Sequence, residues 1–260
     1  MGEGKDLQLS VVVPAFNEEV RLAVTLPHLW RSLKRRFDTF EIIVVDDGSV
    51  DKTREIVSRF AAAHKEVRLL RYEANRGKGY AVRTGVLAAM GDFVLFSDAD
   101  LSTPVREVQK LLNALADGYD IAIGSRAHRQ AKILRKQPFY RVLMGKTFNK
   151  IVRFVTVGGI RDTQCGFKCF TRRAAREIFS NCRIDGFSFD VEALCLARMK
   201  GFSIKEIGVL WRNDPQSKVD PVRHSLQMFR DILLIRYYLT AGYYGRTVIL
   251  RTSTETWSSP

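Results

Sequence analysis

Residues 93–100 read Phe-Val-Leu-Phe-Ser-Asp-Ala-Asp, an apolar run that ends in two aspartates one residue apart. A short apolar run such as 93–96, bounded by polar turn residues, is typical of a strand buried on both faces of a parallel sheet. Similar runs occur at 9–13, 41–45, 67–71 and 121–123, and stretches of helix length separate them. This alternation predicts an α/β fold, with a mostly parallel central sheet flanked by helices.

Two helix starts are marked by capping residues and by proline. Asp51 precedes the amphipathic stretch 52–63, and Thr103 precedes Pro104. Aspartate and threonine are preferred N-cap residues, and proline is favoured in the first helical turn. The sequence therefore predicts one helix over 52–63 and another that begins at Pro104.

The charge of the chain is unevenly distributed. Of 260 residues, 46% are apolar, which suffices for one substantial core and gives no reason to divide the chain into independent domains. The formal charge of +14 lies in the second half: residues 126–260 hold 25 Lys and Arg against 10 Asp and Glu, while residues 1–125 hold 17 against 18. Nine basic and no acidic residues lie in 126–155. Such a positive surface indicates nucleic acid, anionic lipid or a phosphorylated substrate as partner.

The cysteines and the apolar segments bear on the cellular setting. The four cysteines show no C-x-x-C spacing and no clustered histidines, so they indicate neither a zinc site nor a disulfide framework and fit a reducing, intracellular setting. The polar start shows no signal peptide, and the most apolar C-terminal stretch, 232–250, is interrupted by Arg236 and Arg246. Because a span needs about 18 uncharged residues, any membrane contact is predicted to be peripheral.

Two stretches of the second half place apolar residues at helical spacing. In 138–155 the apolar residues share one face, and the basic residues fall largely outside it. Such a helix suits a membrane interface, but core helices carry the same stripe, and both interpretations stay open. In 226–244, Phe229, Leu233 and Tyr237 form a stripe. Packing on the sheet is its favoured interpretation, with lipid headgroups as the alternative.

Polar residues cluster after three predicted strands, at 14–19, 46–49 and 98–100. Because ligands of open α/β sheets bind outside the carboxyl ends of the strands, these acidic clusters are expected to converge on one edge. For 46–49 alone, a helix cap is the favoured interpretation. Asp98 and Asp100 would repel each other unless a cation or hydrogen-bond donors lay between them. The pair therefore predicts a Mg²⁺ or Mn²⁺ site that can bridge to a diphosphate.

Residues 75–80, Asn-Arg-Gly-Lys-Gly-Tyr, lie between a predicted strand and a predicted helix. Glycines and cations there can place backbone N–H groups and Lys78 near a bound anion, and an ordinary glycine turn is the alternative. The motif is not the dinucleotide fingerprint, because Val82 stands where the third glycine would be, and it is not a Walker loop.

Together these motifs form a recognisable series. The chain resembles family 2 glycosyltransferases with a GT-A, Rossmann-like fold in five ordered blocks, 11–19, 44–49, 75–81, 97–100 and 124–126. Later blocks closely resemble dolichyl-phosphate β-glucosyltransferases, and they lie at 162–168, 189–192, 211, 217–219 and 231–236. The resemblance implies one GT-A catalytic domain, 1–245, with C-terminal amphipathic helices at the membrane face. Its nucleotide-sugar-binding half is 1–125, its acceptor-binding and membrane-facing half is 126–245, and a flexible tail follows at 246–260.

The resemblance also implies which residues bind the donor. With Lys78 included, the predicted nucleotide-sugar contacts are Pro14, Ala15, Asn17, Glu18, Asp46, Asp47, Lys78, Asp98 and Ala99. Asp98 and Asp100 match the family's metal and diphosphate pair. Ser102 stands where related lipid-phosphate mannosyltransferases keep a glutamine that completes the metal site, so this chain departs from that pattern.

Residues of the second half are assigned to the acceptor and to catalysis. The predicted acceptor-binding residues are Arg126, Arg141, Gln164 and Lys168, and the predicted catalytic residues are Asp100, Arg126, Asp190, Arg212 and Lys218. Arg212 and Lys218 match cations of a loop that closes over the diphosphate. Asp190 matches a carboxylate base, but a phosphate acceptor with a second pKa of about 6 needs less help from a base. Asp190 is then an orienting residue, or an N-cap of a helix over 191–199.

The implied reaction is an inverting transfer of glucose from UDP-glucose to dolichyl or polyprenyl phosphate. It would take place at the cytoplasmic face of the endoplasmic reticulum or of a prokaryotic plasma membrane. The alternatives are another donor, such as GDP-mannose or UDP-GlcNAc, a non-lipid acceptor, or a silent relative that only binds nucleotide sugar. A nucleic-acid-binding protein is disfavoured, because no helix-turn-helix, zinc or RNP pattern occurs and three acidic strand ends would repel a phosphate backbone.

Overall fold

The computed structural model describes residues 8–135, 152, 159–214 and 221–245. Most of the predicted amphipathic stretch 138–155 and the whole predicted tail 246–260 lie outside these residues. Within that stretch the structure describes Val152, which is helical and buried in the core on one side of the sheet.

Nine strands are described: β1 (Leu9–Ala15), β2 (Phe40–Asp47), β3 (Val67–Tyr72), β4 (Phe93–Ser97), β5 (Ile121–Ser125), β6 (Lys132–Arg135), β7 (Phe167–Thr171), β8 (Ile204–Gly208) and β9 (Leu210–Arg212). Seven of them form the central sheet in the spatial order β3-β2-β1-β4-β7-β5-β8, and β6 pairs with β9 in a small second sheet. All neighbours in the central sheet are parallel except β7, which is antiparallel to both β4 and β5. The five predicted strands and the mostly parallel sheet are therefore confirmed.

Helices cover both faces of this sheet. They are α1 (Glu19–Lys34), α2 (Thr53–Ala63), α3 (Lys78–Leu87), α4 (Val108–Ala116), α5 (Arg172–Phe179), α6 (Phe189–Met199) and α7 (Pro221–Thr240). One core lies under α1, α2 and α4, and the other lies under α3, α5, α6 and α7. Because β1, β2 and β4 are buried between these two layers, both faces of each strand are apolar.

The layer on α1 shows how the sequence builds this packing. Leu22, Leu26, Leu29 and Leu33 recur at helical spacing, and all four are buried. Burying one such leucine stabilises the fold by about 1.5–3 kcal/mol. These buried leucines hold α1 against the sheet. They thereby fix the first turn of α1, which begins at Glu19, close to the end of β1 at Ala15.

Two predicted helix starts are corrected by the structure. The helix expected over 52–63 begins at Thr53, and the Asp51 carboxylate accepts hydrogen bonds from the N–H groups of Thr53 and Glu19 at 2.9 and 3.2 Å. Asp51 thus joins the starts of α1 and α2 instead of capping at the position directly before the helix. Pro104 has extended backbone angles and precedes a short 3₁₀ turn, Val105–Glu107, so it does not occupy a first-turn position.

The C-terminal helix α7 carries apolar side chains on two faces. Ile232, Ile235 and Leu239 are buried in the core, which confirms that the helix packs on the domain. The stripe predicted to make that contact, which consists of Phe229, Leu233 and Tyr237, is instead about half exposed. Among the described helices, none combines the length and hydropathy needed to cross a bilayer.

Candidate active site

A cleft of about 510 Å³ opens at the carboxyl ends of β1, β2 and β4. Its lining includes Pro14 and Glu18 after β1, Asp47 at the end of β2, and the pair Asp98 and Asp100 after β4. Since these three strands are parallel neighbours, the expected convergence of the acidic clusters is observed. The predicted donor contacts that line the cleft are Pro14, Ala15, Glu18, Asp47, Lys78, Asp98 and Ala99.

The pair Asp98 and Asp100 follows the carboxyl end of β4. Lys78 Nζ donates a hydrogen bond to Asp98 Oδ1 at 2.6 Å, and the Ser102 main-chain N–H donates one to Asp100 Oδ1 at 2.8 Å. Burial first, and the Asp98 charge second, raise the pKa of the Asp100 carboxyl above its ordinary value. A second negative charge in this place is therefore unfavourable without a cation.

These residues fit a divalent metal ion. Both side chains offer the hard oxygen ligands that Mg²⁺ and Mn²⁺ prefer. Such an ion would also stabilise the ionised form of Asp100, whose pKa is raised by burial and, second to it, by the charge of Asp98. Within the described residues no group of three or more His, Cys, Asp or Glu side chains is placed to hold a metal. The aspartates would therefore share the ion with water or with oxygen atoms of a bound diphosphate.

Backbone strain marks the same edge of the sheet. Asn17 and Leu101 adopt left-handed φ angles of 55° and 48°, and such a conformation costs on the order of 1–3 kcal/mol for most residues. Leu101 follows Asp100, and its N–H donates to the Asp98 carbonyl at 3.1 Å, so the tight turn orients both carboxylates. Asn17 accepts a hydrogen bond from the Val50 N–H at 2.9 Å and thus holds the neighbouring loop, without lining the cleft itself.

Asp46 and Asp47 have different partners. Asp46 is buried, and its Oδ1 accepts the Ser49 N–H at 3.0 Å, which closes a turn. The helix-cap interpretation of 46–49 is therefore wrong, because the helix that follows begins at Thr53 and has Lys52 at its N-cap. Asp47 faces the cleft and accepts three hydrogen bonds at 2.8–2.9 Å, from Asn75 Nδ2 and from the N–H groups of Arg76 and Gly77. The donors expected to hold a bound anion are therefore used to fix the side chain of Asp47.

The glycines of the 75–80 motif also have a structural role. A Cβ at Gly77 would overlap the Asp185 carbonyl, and a Cβ at Gly79 would overlap the Ile184 carbonyl. The Gly79 N–H donates to the Asp185 carbonyl at 2.7 Å. Close approach between this loop and the segment before α6 therefore requires glycine at both positions. The main-chain part of the predicted anion cradle is thus corrected to a backbone-packing motif, while the Lys78 side chain stays a predicted donor contact.

A second ion-pair group joins the cleft to the segment after β9. Arg21 of α1 donates to both Glu18 oxygens at 2.9 Å, and its Nε donates to Asp214 at 2.7 Å. Burial alone lowers the pKa of the Arg21 guanidinium, but the charges and hydrogen bonds of Glu18 and Asp214 outweigh it and raise that pKa. Arg21 and Glu18 both line the cleft. Arg21 therefore holds in place the side chain of Glu18, which is a predicted nucleoside contact.

Arg126 is held by Asp162 through three hydrogen bonds. The main-chain N–H and Nε of Arg126 donate to Asp162 Oδ2 at 2.8 and 2.7 Å, and Nη2 donates to Oδ1 at 2.8 Å. The guanidinium also lies 5.6 Å from the Trp211 ring centroid. Burial alone raises the pKa of the Asp162 carboxyl, but the Arg126 charge and hydrogen bonds outweigh it and lower that pKa. Arg126 therefore enters the cleft as an oriented fork.

Lys168 and Asp190 form a buried pair beneath the cleft. Lys168 Nζ lies 2.6 Å from Asp190 Oδ1 and 2.6 Å from the Cys165 carbonyl, and both side chains are at most 5% exposed. The prediction that Lys168 lines the acceptor site is therefore wrong, because its ammonium cannot reach a ligand there. Asp190 is the second residue of α6, which begins at Phe189, so the N-cap interpretation is also wrong. Burial raises the pKa of Asp190, and Lys168 and Lys78 oppose that rise.

Of the remaining predicted residues, the structure describes Gln164 and Arg212 but not Arg141 and Lys218. Gln164 is half-buried, and its main-chain N–H donates to Asp162 at 3.3 Å. Arg212 is exposed at the end of β9, where its N–H donates to the Ser102 carbonyl at 2.9 Å and thus brings β9 beside the aspartate pair. Arg141 and Lys218 lie outside the described residues.

Sequence reasoning assigned no role to several residues of this site, among them Arg21, Asp162 and Phe187. Arg21 and Phe187 line the cleft, and Asp162 orients Arg126. The Glu18-x-x-Arg21 spacing at the start of a helix was an available signal for the first, because residues three apart share a helix face. Nothing in the local sequence pairs Asp162 with an arginine 36 residues earlier.

The chain belongs to glycosyltransferase family 2, since residues 10–179 match the family model described as Glycosyl transferase family 2. Within that family it is similar to dolichyl-phosphate beta-glucosyltransferases. The human protein of that name is 40% identical over 250 residues, which cover 91% of this chain and 77% of the human chain. The protein from Saccharomyces cerevisiae is 34% identical over 260 residues, which cover 93% of this chain and 78% of the yeast chain. The resemblance found in the sequence motifs is therefore confirmed.

Solved structures establish the fold independently. The chain matches a crystal structure of glucosyl-3-phosphoglycerate synthase from Mycobacterium tuberculosis in complex with UDP, with a TM-score of 0.65, 22% identity and coverage of 88% of this chain and 80% of that chain. A crystal structure of mannosyl-3-phosphoglycerate synthase from Rubrobacter xylanophilus matches with a TM-score of 0.67, 19% identity and coverage of 96% and 79%. The predicted GT-A architecture is confirmed.

Proposed function

We propose that this chain transfers glucose from UDP-glucose to dolichyl phosphate or a related polyprenyl phosphate, with inversion at the anomeric carbon. The observation that supports this most is 34% to 40% identity, over about nine tenths of the chain, to proteins named dolichyl-phosphate beta-glucosyltransferase. That name specifies the sugar and the lipid acceptor. The cleft supplies what the reaction needs, namely oxygen ligands for a cation beside a row of strand ends that can hold a nucleotide.

The donor is proposed to lie along the carboxyl ends of β1, β2 and β4. Pro14, Ala15 and Glu18 would contact the nucleoside, and Asp47 would present to it a carboxylate already fixed by three donors. Since Asp47 pays no reorganisation cost on binding, its contact favours a specific orientation of the base or ribose. The diphosphate would then reach the end of β4, next to Lys78 and the aspartate pair.

We propose Mg²⁺ or Mn²⁺ as the cofactor at Asp98 and Asp100. A divalent ion there would neutralise the charge that builds on the leaving diphosphate. A structure similar in fold contains Mn²⁺ and UDP, with a TM-score of 0.65 at 23% identity, and this supports metal use by the fold without fixing the metal. Ser102 offers a hydroxyl where some relatives carry an amide, which leaves more of the coordination to the donor and to water.

The acceptor phosphate is proposed to approach Arg126. The fork of Arg126 is oriented by Asp162, and the planar guanidinium suits a phosphate that it binds through two N–H groups. A phosphate monoester has a second pKa of about 6, so it is already an oxyanion at neutral pH and needs no base. We therefore assign Asp190 a positioning role through Lys168, which is the group that its carboxylate contacts.

The half 126–245 is proposed to face the membrane. The exposed stripe of α7, together with Ile133 and Leu134 of β6, which are 38% and 64% exposed, offers apolar surface to a lipid interface. Lys132 and Arg135 flank the β6 pair and would favour anionic headgroups. The four cysteines are buried free thiols, which supports the reducing, cytoplasmic side of the membrane.

One assay tests the proposed function. The protein is incubated with Mn²⁺ or Mg²⁺, radiolabelled UDP-glucose, GDP-mannose or UDP-GlcNAc, and one acceptor: dolichyl phosphate, a short polyprenyl phosphate or 3-phosphoglycerate. We expect labelled lipid with UDP-glucose and a polyprenyl phosphate. Asp100→Asn should lower the rate about 100-fold or more, whereas Asp117→Asn, at an exposed site beyond α4, should not. Transfer to the soluble acceptor alone, or a preference for another donor, would replace the proposal with that reaction.

A further inference from the structure

Three cations line the cleft within the described part of the chain, and each is paired with a carboxylate. Arg21 contacts Glu18 and Asp214, Arg126 contacts Asp162, and Lys78 contacts Asp98. The carboxylates that contact Arg21 and Arg126 orient these arginines, and none of them belongs to the aspartate pair Asp98 and Asp100. The third cation differs, because Lys78 donates to one of the two residues proposed to hold the metal.

The Lys78–Asp98 pair is rigid at its base and accessible at its charged ends. Lys78 is the first residue of α3, and the preceding turn is fixed by hydrogen bonds from Arg76 and Gly77 to Asp47. The two charged side chains are 25% and 33% exposed in the cleft, with Nζ and Oδ1 2.6 Å apart. Because the lysine stem has several rotatable bonds, the ammonium can change partner while its backbone stays in place.

The charges at this point favour such an exchange. When both are ionised, Asp98 and Asp100 carry two negative charges, and the ammonium of Lys78 lies 2.6 Å from one of them. A cation that binds Asp98 beside this ammonium meets a like charge, and it gains the contacted oxygen Oδ1 only when the ammonium leaves. A diphosphate bound next to the aspartates would supply the ammonium with a new anion.

We propose that Lys78 is an exchangeable counter-ion of Asp98 that makes metal binding and nucleotide binding cooperative. In the absence of nucleotide the ammonium competes with the metal for Asp98. When the nucleotide is present, Lys78 transfers to the diphosphate and the metal gains the freed carboxylate oxygen. This inference rests on the metal site of the proposed function.

Binding measurements without turnover test this coupling. Mn²⁺ affinity is measured by electron paramagnetic resonance of free Mn²⁺, and by calorimetry, with and without saturating UDP. For the wild-type protein we expect UDP to tighten Mn²⁺ binding by about tenfold or more, and Mn²⁺ to tighten UDP binding by the same factor, since linkage is reciprocal.

The decisive variant is Lys78→Met. It should bind Mn²⁺ alone more tightly than wild type, by about fivefold, and its coupling factor should fall by about the same factor. The coupling that remains is the part that diphosphate oxygens supply by binding the metal directly. Lys78→Gln should behave alike, and Lys78→Arg should keep most of the coupling because the charge remains. The matched control is Lys34→Met, which removes a lysine that donates to Glu66 at 2.9 Å from the far end of α1. The control should show wild-type coupling, and thermal unfolding should show that every variant is folded.

The possible failures are distinguishable. If both neutral variants keep wild-type coupling, or bind Mn²⁺ alone more weakly, Lys78 is not a competing counter-ion and this inference is overturned while the metal site stands. If the wild-type protein binds no Mn²⁺ even with UDP, the metal site of the proposed function is wrong, and the inference that depends on it is rejected as well.

Discussion

At the scale of single residues, Gly166 determines where the Asp98 carboxylate can lie. A Cβ at Gly166 would overlap Cγ and both oxygens of that carboxylate, while the Gly166 carbonyl accepts the Asp98 N–H at 3.2 Å. The backbone contact therefore brings the glycine so close that no side chain fits. A motif that is recognisable in the sequence, 162–168, thus has a steric function beside the aspartate proposed to hold the metal.

Gly166→Ala should displace Asp98 without unfolding the protein, because the Asp98 side chain can rotate towards the cleft. We expect Mn²⁺ binding in the presence of UDP and glucosyl transfer both to fall, the latter by about 100-fold, as a misplacement near 1 Å often causes. Calorimetry and the transfer assay measure these effects, and circular dichroism checks the fold. Wild-type Mn²⁺ affinity in this variant would show that Asp98 is not held by the glycine.

Asp162→Asn tests whether Arg126 must be oriented. The amide keeps the shape of the carboxylate, but it loses the charge and turns one N–H donor towards the guanidinium. We expect the turnover number to fall by about tenfold or more, with a smaller effect on the KM for UDP-glucose. Asp162→Glu restores the charge and should recover part of the rate. Equal loss in both variants would indicate a packing role only.

The Arg126–Asp162 ion pair is also expected to make the stability of the fold depend on pH. Arg126 lowers the pKa of Asp162 below its ordinary value, so the pair stabilises the fold above the pKa of the unfolded chain, about 4. That contribution is lost as the pH falls through the lowered folded-state pKa. The free energy of unfolding should therefore differ between wild type and Asp162→Asn at neutral pH, and the difference should shrink in acid. A difference that does not change with pH would argue against the ion pair.

At the scale of elements, α7 carries an exposed apolar stripe that we propose as a membrane contact. Phe229, Leu233 and Tyr237 are about half exposed, and the opposite face of the helix is buried. Replacing all three with serine should reduce flotation with anionic, dolichyl-phosphate-containing vesicles by at least about tenfold, given the apolar area removed. Transfer to a short, water-soluble polyprenyl phosphate should persist. The matched control is Val20 and Val24 of α1, which are 67% and 71% exposed, and their replacement should leave flotation unchanged. Unchanged flotation of the triple variant would exclude α7 as the contact.

The elements also show which parts of the fold the sequence predicts. β1, β2, β4 and β5 have long apolar runs, because both faces of a central strand are buried, and these four were predictable. β3 lies at the edge of the sheet and carries Arg68 and Arg71, but its position between two stretches of helix length made it predictable as well. β7 contains Lys168, whose charge is buried and is satisfied by Asp190 from another element, so its local pattern does not resemble a core strand. β8 and β9 are short and mix charged with apolar residues, which leaves little periodicity to detect.

At the scale of the whole molecule, the two predicted halves share one sheet. β7, from the second half, lies between β4 and β5 of the first half. The carboxylates of the site were predictable, since they follow strands whose ends must meet. Their partners were not, because ion pairs such as Arg126–Asp162 and Arg21–Asp214 join residues 36 and 193 positions apart. Only the assembled sheet brings such residues together.

The Tyr244 hydroxyl adds a buried polar contact between the C-terminal region and this assembly. Glu192 of α6 is fully buried and accepts hydrogen bonds from the N–H groups of Arg183 and Ile184, each at 2.8 Å, and from the Tyr244 hydroxyl at 2.6 Å. Tyr244 lies just beyond α7 and is itself buried. The Glu192 carboxylate of α6 therefore joins this helix to the loop before it and to the segment just beyond α7.

Tyr244→Phe should destabilise the whole domain by about 1–3 kcal/mol, because it leaves a buried carboxylate short of a donor. Burial raises the pKa of Glu192 and the Tyr244 hydroxyl opposes that rise, so the variant raises the pKa further. The destabilisation should be small in acid, where Glu192 is protonated in both proteins, and should grow as the pH rises through the two folded-state values. Denaturant unfolding at several pH values measures it, with Tyr243→Phe, at an exposed neighbouring ring, as the control expected to stay within about 0.5 kcal/mol. A loss that is independent of pH would mean that the Tyr244 hydroxyl stabilises the domain without depending on the charge of Glu192, and that Glu192 does not join its three elements through charge.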